Sequence, residues 1–460
     1  MHLHDAAAAE LTEAIVRYAV DRVQMDPVPL DGPRSSVELA ADCGPTITAD
    51  GLGGGEALRL YAEVLAPACI SVDHPRYLSF VPCAATESAV LFDLVVGASS
   101  VYGGSWLEGA GAVFAENEAL RWIADLAGLP AEAGGVFVSG GTTGNLSALV
   151  AARADWRAGA QGRHDHTRGL ILTSAGAHSS VAQAARVMDC DVVAVAADRS
   201  GKMTGAALRA SLAALDGPDR ARLFAIVATA GTTNAGVVDD LAGAAAAADA
   251  GDCWLHVDAA YGGAALAAPS VRHKFAGIER ADSLIVDPHK WLFAPFDSCA
   301  LLYRDPELAR RAHTQHAEYL DVLHEAHGTH SGREWNPSDY AHHLTRRARG
   351  LPFWFSLATH GTAAYTEAVE TTLAVAHSGA ELIRASAHCE LVVEPELSVV
   401  VFRRIGWSRT DYQAWSDRML AAGEAFVVPT SWDGETVLRT CVVNPVTTVD
   451  DIAFLVDSLA

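Results

Sequence analysis

The sequence has no long uninterrupted apolar run, no paired cysteines and no cluster of Lys or Arg. Each absence removes a class of function. Without an apolar stretch of membrane length, no membrane partner is expected. Eight cysteines stand singly, at 43, 69, 83, 190, 253, 299, 389 and 441, and none forms a Cys-x-x-Cys pair. That spacing argues against a metal centre or a disulfide framework and for a reducing compartment, the cytoplasm by default. A net charge of −23 with no basic face argues against nucleic acid as a partner. The N-terminus interrupts its apolar residues with Glu13, Arg17 and Asp21, which reads as an amphipathic helix and not as a secretory signal.

What is present is half hydrophobic and 19% charged over 460 residues, enough for two or three globular units. Helices are expected over 5–25 and 56–70, with a Pro/Gly-rich connector between them. From about 71 to 310, short apolar runs alternate with Ala-rich helical stretches. The runs are VFVS (136–139), LILT (170–173), DVVAVA (191–196), LFAIVATA (223–230), WLHVDAA (254–260), SLIVD (283–287) and CALLYR (299–304). Apolar strands between helices predict an α/β fold, a mostly parallel sheet with helices on both faces. A polar, His- and Gly-rich loop over about 305–345 reads as a lid. Residues 346–388 read as helical. Strands over 390–394, 397–404, 425–430 and 436–443, with helices over 410–422 and 449–459, predict a small α+β unit. The expected divisions are 1–73, an N-terminal helical segment; 74–345, a large α/β domain; and 346–460, the C-terminal domain.

Four constellations carry chemistry. In HVDAAYGG (256–263) a strand ends on Asp258, where α/β proteins bind ligands; a turn-capping Asp is the plainer alternative. In SLIVDPHKWLF (283–293) Lys290 sits between an apolar strand and an aromatic cluster. A desolvated lysine becomes a nucleophile; a lysine whose ammonium reaches back to water is the alternative. The two lie 290 − 258 = 32 residues apart, about one strand–helix–strand unit, so both can reach one sheet edge. In VFVSGGTTGNLSAL (136–149) a Gly/Thr turn opens a helix, a phosphate cradle without the Walker or dinucleotide spacing. In TSAGAHSSVAQAARVM (173–188) a strand delivers His178 before a helix that Ser179 or Ser180 could cap.

Together these motifs resemble the pyridoxal-phosphate-dependent group II amino acid decarboxylases, which include the aromatic amino acid and glutamate decarboxylases. The resemblance runs from HPRYLSFVP (74–82) through ATAGTT (228–233), HVDAAYGG and DPHKW to TRRARGLPFWF (345–355). It implies a fold-type-I enzyme with a seven-stranded sheet, pyridoxal 5'-phosphate as cofactor, and a homodimer whose active sites are shared between chains. By the same resemblance Lys290 is the Schiff-base lysine and Asp258 the partner of the pyridine nitrogen. Ala260 lies under the ring and His178 stacks on its other face. Gly141 and Thr142 cradle the phosphate, Asp287 and His289 add further phosphate contacts, and Thr229 lies near the phenolic oxygen.

An Asp against the pyridine nitrogen is worth ~4 kcal/mol at 4 Å and an effective dielectric of ~20. That is enough to hold the nitrogen protonated near neutral pH. The expected reaction is decarboxylation of an L-amino acid, an aromatic one preferred, to the amine and carbon dioxide. Tyr77, Phe80, Cys83, Tyr102 and Trp106 are the candidate substrate residues, and Arg76 would serve an acidic substrate. The family's lid tyrosine falls near Pro337; the nearest tyrosine is Tyr340, with His342 as another proton source. That departure keeps an oxygen-dependent aldehyde synthase open. An aminotransferase or other lyase is a second alternative, because the scaffold fixes the cofactor and not the reaction, and a cofactor-binding protein without turnover is a third.

Overall fold

The computed structural model describes residues 2, 4–159, 167–320 and 334–460. Seven strands build its main sheet: β1 (Gly134–Val138), β2 (Leu170–Ser174), β3 (Asp191–Val195), β4 (Leu223–Thr229), β5 (Trp254–Asp258), β6 (Ser283–Val286) and β7 (Cys299–Tyr303). Their order is β1-β7-β6-β5-β4-β2-β3. Neighbours from β6 through β3 run parallel; β7 lies antiparallel to both β6 and β1.

The continuous apolar runs have a direct cause. Side chains alternate across a strand, and both faces of this sheet are covered. Ile171, Ala225, Val227 and Ile285 join a core with Leu149, Ala152 and Trp156 of the helix Gly141–Gly159. Their chain neighbours Leu172, Ile226, Ala228 and Leu284 point the other way. They meet Leu120 and Ile123 of Trp106–Ala127, Leu208 of Gly205–Ala214 and Leu241 of Leu241–Gly251. Every residue of these strands is buried except on β3, the half-exposed edge.

A second, antiparallel sheet has the order β10-β11-β9-β8. Its strands are β8 (Cys389–Val393), β9 (Val399–Arg404), β10 (Pro429–Trp432) and β11 (Glu435–Cys441). It packs with the helices Leu351–Ala385, Arg409–Ala421 and Val449–Asp457. The strand expected over 425–430 starts later. Phe426 accepts from the Leu78 N–H at 3.0 Å and donates to the Arg76 carbonyl at 2.9 Å, so residues 76–78 take its hydrogen bonds. That part of the segment grouped with the large domain is therefore bonded to the C-terminal unit.

The N-terminal part forms helices Ala6–Val23, Ser36–Cys43 and Gly54–Leu60. The middle one was not expected; Ser35 and Glu38 make a capping box that starts it inside the connector. The expected lid is not one loop. Its first part is the helix Pro306–His313, held by buried Ala309 and His313. Residues 321–333 of that expected loop lie outside the described residues.

Candidate active site

Parallel strands deliver their carboxyl ends to one edge, and the chemistry gathers there. A cleft of about 270 Å³ is lined by Ser139, Gly141, Thr142, His178, Thr229, Asp258, Ala260, Asp287, His289 and Lys290, among others. All nine expected cofactor positions are in this lining. A larger groove of about 980 Å³ lies between the N-terminal segment and residues 360–368, and it contains none of them.

Asp258 closes β5. Its Oδ1 accepts from the Ala260 N–H at 3.1 Å and its Oδ2 from Asn145 Nδ2 at 2.8 Å. Thr229 is its register partner on β4. His178 caps the helix Ser179–Val187, with Nδ1 accepting from the Ser180 N–H at 3.2 Å. Lys290 lies in a single turn, Pro288–Trp291, that follows β6. Its Nζ is 2.9 Å from Asp287 Oδ2. Burial pushes the Lys290 ammonium down, but Asp287 and then Asp258 outweigh it, and the net shift is upward. Burial pushes Asp287 up, and Lys290 and His289 outweigh it, so its carboxyl sits below the usual range.

The Asp287 carboxylate therefore faces a cation, and an acceptor-only group cannot donate to a phosphate. At Asp287, expected as a phosphate contact, the carboxylate pairs with Lys290. The His289 ring is bonded to the Ser298 backbone, with Nδ1 2.6 Å from the Ser298 carbonyl oxygen.

Pyridoxal phosphate fits these residues. The buried hydroxyl of Thr229, in the cleft lining, has no hydrogen-bond partner among the described residues, the signature of a site that completes itself on a polar ligand. A side chain at Gly141 would meet Asp287 Oδ2 at 3.2 Å and Ala260 Cβ at 3.3 Å, in the space a flat ring needs. The first-turn N–H groups of the 19-residue helix that Gly141 opens have no partner within the helix and suit a phosphate.

The substrate residues expected from sequence are not in the lining of this chain's cleft. Tyr77 packs edge-on against Phe426 at 4.9 Å. Phe80 takes a positive φ of 53° and is exposed, and its carbonyl accepts from Arg439. The Cys83 thiol is buried against the Ala294 carbonyl at 3.0 Å, and burial pushes it up to about 12. The Tyr102 hydroxyl donates to the Leu344 carbonyl at 3.1 Å. The Trp106 N–H donates to Asn336 Oδ1 at 3.0 Å. Tyr340 is also outside the cleft. It is 3% exposed and packs edge-on against Trp335 at 5.8 Å. His342 is bonded to Ser147 on the helix Gly141–Gly159.

Sequence reasoning missed Asn145, Gly231, Thr233, Tyr261, Phe296 and Asp297, which also line the cleft. For Asn145 there was a signal: Asn disfavours a helix interior, so its place in the second turn needs a reason.

A doubly covered, mostly parallel sheet with an Asp, a His and a Lys around a phosphate cradle defines a fold-type-I pyridoxal-phosphate enzyme. A model described as the pyridoxal-dependent decarboxylase conserved domain matches residues 57–405. An aromatic-L-amino-acid decarboxylase of Bacillus atrophaeus is 31% identical over 391 residues, 83% of this chain and 79% of that protein. An L-2,4-diaminobutyrate decarboxylase of Rhizobium meliloti (strain 1021) is 32% identical over 419 residues, 89% and 82%. The crystal structure of Oryza sativa TDC with PLP and tryptamine shares the fold, with a TM-score of 0.90 at 24% identity over 100% of this chain and 98% of that one. The chain belongs to the pyridoxal-dependent decarboxylase family, and it is a pyridoxal-phosphate-dependent amino acid decarboxylase.

Proposed function

We propose that the enzyme decarboxylates an aromatic L-amino acid to its amine, with Lys290 as covalent anchor of the cofactor. The observation that carries the substrate class is charge: among the described residues lining the cleft, Lys290 is the only Lys or Arg. A side-chain carboxylate would find no second cation there. Arg76, the residue that would serve an acidic substrate, instead pairs with Asp451 at 3.6 Å and lies 4.7 Å over the Phe454 ring. Phe296 and Tyr261 add apolar surface to the cleft. The Bacillus atrophaeus relative named for aromatic substrates supports the same reading.

When bound, pyridoxal phosphate supplies an electron sink for the bond broken at the substrate α-carbon. Asp258 would hold a proton at the pyridine nitrogen. His178 and Ala260 would hold the ring. Gly141, Thr142 and His289 would hold the phosphate, and Thr229 would offer its unpartnered hydroxyl to the phenolic oxygen. Which substrate bond stands perpendicular to the ring is set by groups that grip the amino acid.

Those groups include a second chain in our reading. Tyr102 and Trp106 are turned from their own cleft, and the nearby Leu94, Val95, Leu107 and Phe114 are exposed apolar residues. A homodimer would cover them and bring aromatic residues to the partner's cleft. Eight free cysteines support a cytoplasmic setting.

Holoenzyme incubated with each of the twenty amino acids, read for carbon dioxide, amine, aldehyde, hydrogen peroxide and ammonia, tests this reading. Carbon dioxide with amine from aromatic substrates is expected. Turnover confined to glutamate or aspartate would overturn the substrate class. Aldehyde with peroxide and ammonia would show the oxidative outcome, which the buried Pro337 at the aligned lid position leaves as the second reading.

A further inference from the structure

Asn145 is 1% exposed and joins both faces of the cofactor site. Its Nδ2 lies 2.8 Å from Asp258 Oδ2 and 2.8 Å from Ser180 Oγ; its Oδ1 lies 2.8 Å from His256 Nε2. The protons along this chain can be placed one by one. A carboxylate only accepts, so the amide nitrogen faces Asp258 and the amide oxygen faces His256. His256 must then donate from Nε2. Burial pushes His256 down to about 4, which keeps the ring neutral near pH 7. Its Nδ1 is therefore bare and accepts from Ser283 Oγ at 2.8 Å. Ser283 Oγ in turn accepts from Trp254 Nε1, a pure donor, at 2.8 Å.

The other branch runs to His178. Asn145 gives its second N–H to Ser180 Oγ, and because His178 Nδ1 already accepts from the Ser180 backbone N–H, the Ser180 hydroxyl gives its own proton to that nitrogen at 2.8 Å. The Ser180 backbone N–H reaches the same nitrogen at 3.2 Å. Two donors converge on Nδ1. It carries no proton, and the imidazole proton rests on Nε2, directed away from Ser180.

We propose that Asn145 is a positioning residue for the decarboxylation, fixing the His178 tautomer through Ser180 and the orientation of Asp258 through its own N–H. The proposal rests on the roles given above to Asp258 and His178. Without the Asn145 amide, the Ser180 hydroxyl loses the donor that turns its proton toward His178, and only the longer bond from the Ser180 backbone N–H is left to keep Nδ1 bare. Asp258 Oδ2 also loses its side-chain donor. Neither effect requires Asn145 to touch the substrate.

The test is ¹⁵N NMR of holoenzyme labelled at histidine, with the His178 signals assigned by their loss in His178→Gln. At neutral pH the wild type should show an unprotonated Nδ1 and a protonated Nε2. Asn145→Ala and Ser180→Ala should each shift His178 toward a mixture of tautomers. In Asn145→Ala, kcat should fall by about 10- to 100-fold, the cost of a lost hydrogen bond to a charged group, with KM within about twofold. Should Asn145→Ala fail to fold, Ser180→Ala must still move the tautomer. A wild-type His178 protonated at Nδ1, or spectra unchanged in Ser180→Ala, overturns the proposal. So does a folded Asn145→Ala with full kcat, even if its melting temperature falls. Full turnover in His178→Gln and Asp258→Asn would instead sink the roles on which the proposal stands.

Discussion

Lys290 Nζ and Asp287 Oδ2 meet at 2.9 Å in a cleft where the acid is 2% exposed at its side chain and the amine 24%. Asp287 holds the ammonium. Two opposed effects act on it: burial favours the neutral amine, and Asp287 with Asp258 favours the cation and wins. Capture of an aldehyde needs the neutral amine, so the pairing with Asp287 opposes it.

Asp287→Asn should therefore load faster. With the main opposing charge gone, burial has less to overcome, and Lys290 is neutral at lower pH. Stopped-flow absorbance of Schiff-base formation on the apoprotein, followed across pH, should show a midpoint below that of the wild type. A midpoint that stays in place would mean that Asp287 does not control the amine.

Asp258→Asn should keep cofactor and lose turnover. An acceptor-only carboxylate becomes an amide that cannot hold a proton at the pyridine nitrogen by charge. Removing ~4 kcal/mol of such stabilisation corresponds to a loss of about 100- to 1,000-fold in kcat. Bound cofactor measured by absorbance, beside kcat, checks this, and near-normal turnover would remove Asp258 from the site.

Tyr340→Phe should change little. The phenol is packed against Trp335, outside the cleft, and burial pushes its ionisation up. The expected kcat lies within about threefold of wild type, with an unchanged ratio of amine to aldehyde; away from special features a conservative change costs little. A fall of about 100-fold or more, with peroxide appearing, would restore Tyr340 as the proton donor.

These residues also show what the sequence could and could not reveal. All seven strands of the main sheet start within two residues of an apolar run, because strands covered on both faces are mostly apolar and carry few polar residues to blur the signal. Asp258 and Lys290 stood out because one closes such a run and the other comes three residues after one, at the edge where parallel sheets bind ligands. The Asn145 link to Asp258 spans 113 residues and depends on how one helix crosses the sheet. The surroundings of Tyr77 were hidden for a similar reason. Tyr77 sits beside a motif in the chain, yet its face is set by Phe426 from the C-terminal unit. The same pairing displaced β10 from its expected start.

Acid should reveal His256. The ring is fully buried and burial holds it down at about 4, against about 6.5 in an unfolded chain. The depressed value means that its stabilising share is present above 6.5 and is lost as pH falls through the window from 6.5 to 4, where the unfolded chain takes a proton that the fold refuses. At about 1.4 kcal/mol per unit, the loss by pH 4.5 is on the order of 2–3 kcal/mol. Asp239 acts the other way. Burial pushes it up to about 7, so the fold keeps a proton that the unfolded chain has lost, and stability from that group rises on acidification. The overall pH curve therefore mixes both signs, and a difference isolates one. His256→Gln should cost stability at pH 7, because it breaks the chain between Ser283 and Asn145, but it carries no protonation penalty. The gap between wild type and variant in urea unfolding should narrow by on the order of 2–3 kcal/mol between pH 7 and 4.5. A gap that stays constant would mean that His256 takes its proton as readily in the fold as outside it, and the neutral ring on which the Asn145 proton order depends would be lost.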